Sequence, residues 1–117
     1  MSTINLTADT FEQTINANDL VLVDWWASWC GPCRNFAPIF EKAAETHADI
    51  VFGKIDTDAE QALAGAANIT AIPTLMAFRE GVLVFSQPGS NIFENRIFRS
   101  LVQNLMIELR VSFQSFL

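Results

Sequence analysis

Seven consecutive residues, Leu20 to Trp26, read LVLVDWW, and Asp24 is the one charged residue among them. An apolar, partly β-branched run without polar alternation is what a strand requires when both of its faces are covered. Such a strand cannot lie at the surface, so the rest of the chain must supply a layer on each side of it. At 117 residues the chain is long enough for one domain, 1–117, with a single core. Half of the residues are apolar and 17% are charged, which excludes an extended disordered chain.

The covering layers are legible on either side of the run. Residues 7–17 predict a short helix, with Thr7 as its cap, acidic residues in the first turn, and Phe11 and Ile15 on one face. Beyond the run, Phe36, Ile39, Phe40, Ala43, Ala44 and His47 form one apolar stripe at helical spacing, with Glu41, Lys42 and Glu45 opposite. Pro38 falls inside this helix, its ring against the Arg34 carbonyl, so a bend is expected. Residues 50–56, IVFGKID, predict a second strand. Thr57 and Glu60 have the spacing of a capping box that opens a short Ala-rich helix. PTLMAF and VLVFS predict two strands joined by Arg79-Glu80-Gly81 as a hairpin. After Pro88-Gly89, the residues Phe98, Leu101, Val102, Leu105, Met106 and Leu109 repeat the helical stripe. Helices alternating with strands, then a hairpin and a last helix, argue for an α/β sheet covered on both faces.

Charge narrows the function classes. The formal net charge is −6, and residues 1–89 hold eleven acidic groups against four basic ones. With no basic run, the chain is not a nucleic-acid binder. No apolar stretch approaches the roughly 20 residues of a membrane span. The N-terminal MSTINLTADT lacks the basic and apolar regions of a secretion signal, so the cytoplasm is the expected location.

The two cysteines, Cys30 and Cys33, sit where the buried strand gives way to the helix, with Gly31 and Pro32 between them. Proline suits a first helical turn because the amide hydrogen it lacks has no partner there. On helical geometry, residues three apart have Cα atoms about 5 Å apart, inside the window of roughly 4.4–6.8 Å that a disulfide accepts. One backbone can therefore carry either the dithiol or the disulfide. Free amides and the positive end of the helix dipole favour a thiolate at Cys30, and the thiolate is the species that attacks a disulfide. Cys33, one turn further in, is expected to be less exposed and to resolve the mixed disulfide that Cys30 forms. Two other uses stay open on residue grounds. A static disulfide fits a reducing compartment poorly. A zinc site needs four ligands, and beyond the pair only His47 offers a soft one, so a metal would have to bridge two subunits.

The segment VDWWASWCGPCRNFAP, residues 23–38, resembles the active-site segment of the thioredoxin family, and Ile72-Pro73-Thr74 before a strand–Gly–strand hairpin resembles its second signature. With Lys54 in GKIDTD and Gly89 before the last helix, the resemblance covers about residues 5–89 in order. It implies the thioredoxin fold, a three-layer α/β/α sandwich with a central mixed sheet, and reduction of protein disulfides through Cys30 and Cys33. It also implies that Asp24 is the buried acid that takes the proton of Cys33, with Lys54 modulating its charge. From the residues alone, Asp24 could instead end a strand facing solvent, and Lys54 could be a solvated strand-end residue. The Ile72–Pro73 bond is cis in the family and faces the cysteines. Trp29, Ile72, Pro73 and Gly89 are then expected to contact substrate, and Gly31 and Pro32 to set the redox poise. Trp26 is expected as core packing, Trp25 as a repacked phenylalanine position, and Arg34 as a kept positive charge. The family further implies no bound cofactor beyond the Cys30–Cys33 disulfide and recharging by a flavin-containing, NADPH-dependent reductase.

Residues 90–117 depart from the resemblance, and half of them, 14 of 28, are apolar. Val111, Phe113, Phe116 and Leu117 exceed what a covering helix needs. They predict either an extended helix on a monomer or an apolar end through which two copies pair. At the level of function, a thiol-independent binding module or holdase on the same fold is the alternative to an oxidoreductase.

Overall fold

The computed structural model describes residues 2–89 and 98–107. Residues 111–117, on which the expectation of tail-mediated pairing falls, lie outside the described residues, as does Leu109. In chain order the elements are β1 (Thr3–Asn5), α1 (Phe11–Ala17), β2 (Leu20–Trp26), α2 (Gly31–Thr46), β3 (Val51–Asp56), α3 (Gln61–Ala66), β4 (Thr74–Arg79) and β5 (Val82–Pro88). Residues 98–107 form a further helix, α4. The strands make one five-stranded sheet in the order β1-β3-β2-β4-β5. The β1–β3 and β2–β3 pairs are parallel, and β2–β4 and β4–β5 antiparallel. This is the expected mixed sheet, with β2 at its centre.

Strand alternation divides the residues of β2 between two apolar layers. Leu20 and Leu22 join Phe36, Phe40, Phe52, Phe98 and Val102 beneath α2 and α4. Val21, Val23 and Trp25 join Leu6, Ile15 and Ile55 beneath α1 and α3. The same alternation turns Asp24 and Trp26 toward the α2 side. Within the first layer, the Phe36 and Phe98 rings meet edge to face at 5.1 Å and Phe40 and Phe52 at 5.2 Å, separations at which aromatic pairs attract beyond their buried area.

Two local expectations need correction, and one element is new. Helix α1 starts at Phe11, with Thr10 as its N-cap. Thr7 instead opens a turn, its carbonyl accepting the amides of Thr10 and Phe11. The Thr57–Glu60 capping box does not form: α3 is capped at Glu60 without a side-chain bond. Thr57 turns back to the Trp26 carbonyl, and the Glu60 carboxylate accepts the Ala8 amide at 2.7 Å. Strand β1 is an element the pattern did not announce. Its pairing to β3 is supported by Glu41, whose carboxylate accepts from the Ser2 amide and the Thr3 hydroxyl.

Two glycines serve this frame. A Cβ on Gly53 would lie 2.5 Å from Leu6 Cδ1, so its absence lets the buried Leu6 close over β3. At the hairpin, Glu80 and Gly81 both have positive φ, 51° and 81°, the pairing that matches a two-residue turn to the twist of its strands.

Candidate active site

Cys30 is the N-cap of α2, in extended conformation, and Pro32 lies in the first turn. The cap places the sulfur where a capping oxygen would normally sit: the Cys33 amide donates to Cys30 Sγ at 3.2 Å. The two cysteines are joined as a disulfide, with Cα atoms 5.2 Å apart, close to the separation expected from helical spacing. Exposure barely separates them, at 5% for Cys30 and 3% for Cys33. The asymmetry lies in the amide, which would stabilise negative charge on Cys30 in the reduced protein.

Around the pair stand most of the residues expected there. Ala27, Cys30 and Cys33 form a small buried cluster against which Trp26 and Ile72 pack. The Ile72 carbonyl oxygen lies 3.8 Å from Cys30 Sγ, and the Ile72–Pro73 bond is cis. Gly89, with φ of 88°, donates its amide to the Pro73 carbonyl at 2.9 Å, which ties the end of β5 to the turn facing the sulfur. Gly31 is half-buried and Pro32 exposed at the helix start. Trp29 is 67% exposed beside Cys30. Its indole N–H donates to Asp58 Oδ2 at 2.9 Å. Arg34 folds back over the loop, its guanidinium donating to the Ser28 carbonyl at 2.9 Å.

Asp24 is fully buried on β2, and among the described residues neither carboxylate oxygen has a hydrogen-bond partner. Burial pushes its carboxyl up to about 7, partly offset by the positive charge of Lys54. Lys54 is directly opposite Asp24 in the β2–β3 register. Its ammonium sits over the Trp26 ring, 4.9 Å from the centroid. Trp26, expected as core packing, is therefore half-buried between the sulfur pair and a lysine. His47 caps the far end of α2 and takes no part. Among the described residues no group of His, Cys, Asp and Glu is arranged to hold a metal, and no helix is long and apolar enough to cross a membrane. A cleft of about 500 Å³ opens between α2 and α4, lined by Ile39, Lys42 and Val102 among others, and includes none of the site residues.

Sequence reasoning missed Asp58, and with it the tether of Trp29. The signal was present only as an acidic residue just past β3. Which of several such residues would reach Trp29 depends on the β2–β3 register.

A cysteine pair at a helix start, faced by a backbone carbonyl, is the site of a dithiol–disulfide oxidoreductase. The comparisons with known proteins agree. The thioredoxin family model matches residues 2–103, past Gly89 where the sequence motifs end. A Streptomyces coelicolor protein carrying the name thioredoxin 2 is 56% identical over 89 residues, 76% of this chain and 66% of that protein. The thioredoxin of Alicyclobacillus acidocaldarius is 43% identical over 81 residues, 68% of this chain and 77% of that one. Among solved structures, Plasmodium falciparum thioredoxin superposes with a TM-score of 0.79 at 32% identity, covering 87% of this chain and 97% of its own. The chain belongs to the thioredoxin family.

Proposed function

We propose that this chain reduces disulfides of cytoplasmic proteins, with Cys30 as nucleophile and Cys33 as resolving thiol. The Cys30 thiolate attacks one sulfur of a substrate disulfide, forming a mixed disulfide and releasing the other sulfur as a thiolate that solvent protonates. Asp24 then accepts the proton of Cys33. The resulting thiolate attacks Cys30 Sγ, the Cys30–Cys33 disulfide closes, and the second substrate sulfur leaves. Two electrons have passed to the substrate. A carboxyl that titrates at about 7 is matched to that proton transfer near neutral pH, and Lys54 adjusts it through its charge.

Substrate is held by the exposed Trp29 face and by the Ile72–Pro73 segment, whose backbone can pair with an extended peptide. Gly89 supports that segment. Gly31 and Pro32 place no histidine or other charged residue between the two cysteines, which suits a reductant better than an oxidant. A flavin-containing, NADPH-dependent thioredoxin reductase returns the pair to the dithiol.

The observation that carries this reading is the Cys33 amide aimed at Cys30 Sγ. The test is reduction of a protein disulfide with excess dithiol. Cys30→Ser should abolish turnover, and Cys33→Ser should accumulate a mixed disulfide on Cys30 visible by mass. Undiminished turnover by Cys30→Ser would defeat the proposal.

A further inference from the structure

Asp24 and Trp26 are two positions apart on β2, so both side chains project from the α2 face of the sheet. Lys54 stands beside Asp24 in the parallel register, and Asp56 beside Trp26. Yet among the described residues no hydrogen-bond partner reaches either Asp24 oxygen. The ammonium lies on the Trp26 ring instead, 4.9 Å from its centroid, within cation–π range. The ring is itself held in place, because Trp26 packs against Ala27, Cys30 and Cys33.

We propose that Trp26 is a positioning residue for the proton transfer: its ring face keeps the Lys54 ammonium beside Asp24, and so sets the positive field at that acid. This rests on Asp24 being the proton acceptor. Without the ring, the ammonium has water as its better partner and swings outward, and the field of Lys54 at Asp24 weakens. Among the described residues, the other titratable groups near this face are Cys30 and Cys33 on α2, Asp56 at the end of β3 and Asp58 just past it. Asp56 is engaged by the Asp58 amide at 2.9 Å, and Asp58 by the Trp29 indole at 2.9 Å. From β4, Leu75 stands opposite Asp24 and carries no charge. Among the described residues, Lys54 is the one cation whose charge acts on Asp24.

The experiment is a carboxyl NMR titration of Asp24 in the oxidised protein, where the cysteines do not titrate. Wild type is compared with Trp26→Leu, Trp26→Phe, Lys54→Met and the Trp26→Leu/Lys54→Met pair. Trp26→Leu should raise the Asp24 titration by about half a pH unit. Trp26→Phe, which keeps a ring face, should move it less. Lys54→Met should raise it at least as far as Trp26→Leu, and Trp26→Leu should add nothing in the Lys54→Met background. An unmoved or lowered titration in Trp26→Leu, or equal shifts in both backgrounds, would overturn the role of Trp26 and leave the proton-acceptor reading standing. An ordinary carboxylate titration of Asp24 in the wild type would overturn the proton-acceptor reading itself.

Discussion

Asp24 and Lys54 stand directly opposite each other across the β2–β3 pair, yet no hydrogen bond from the described residues reaches the buried carboxyl. Its folded titration at about 7, against an ordinary 3.8, makes stability depend on pH in a defined direction. Between those values the unfolded chain has released the proton and the folded chain has kept it. The folded state therefore binds more protons, and stability falls as pH rises through this window, levelling off above about 7. Asp24→Asn should remove the slope and stabilise the protein at pH 8 by on the order of 3 kcal/mol. Urea unfolding at pH 5 and pH 8 checks this. A variant no more stable than wild type at pH 8 would mean that the carboxyl is not kept from water.

The same carboxyl predicts a kinetic effect. In Asp24→Asn, resolution of the mixed disulfide should slow about 10-fold or more at neutral pH, while the first attack by Cys30 changes little. Stopped-flow tryptophan fluorescence against pH separates the two steps.

Cys30 in the reduced protein should ionise below the roughly 8.5 of a free cysteine, because the Cys33 amide points at its sulfur from 3.2 Å. Thiolate absorbance at 240 nm in Cys33→Ala, which keeps the backbone amide, measures it directly. A titration at the free-cysteine value would remove the helix start from the mechanism.

Trp29 owes its fixed position to Asp58. Asp58→Ala should raise KM for a protein disulfide several-fold and leave the rate with a small disulfide nearly unchanged. Steady-state kinetics with both substrate types distinguish a contact surface from a chemical role.

Gly53→Ala should destabilise the fold by about 1–3 kcal/mol through overpacking, since the new Cβ meets the buried Leu6 side chain at 2.5 Å. Pairing it with Leu6→Ala should recover part of that loss relative to the sum of the two single changes. Chemical denaturation of the three variants is the check.

Much of this arrangement was legible in the sequence because it is local. The bounds of β2, Leu20–Trp26, follow from one apolar run broken only by Asp24, and the cysteine spacing follows from helical rise. The stripe on α2 predicted the burial of Phe36, Phe40 and Ala44. What was not legible depends on partners distant in sequence. Strand β1 has only three residues, Thr3–Asn5, too few for a pattern, and exists through its pairing with β3. Thr57 and Glu60 had the spacing of a capping box, but the Trp26 carbonyl and the Ala8 amide engaged them first. The meeting of Lys54 with the Trp26 ring likewise depends on the register between two strands, which composition does not reveal.

The 5.2 Å between the Cα atoms of Cys30 and Cys33 also bears on recognition. Because helical geometry alone gives about the same spacing, the backbone need not move when the pair gains or loses two electrons, and the outline of the molecule can stay almost unaltered. A reductase that must select the oxidised form, and a substrate that must meet the reduced one, are left to tell them apart by a few atoms around a single sulfur.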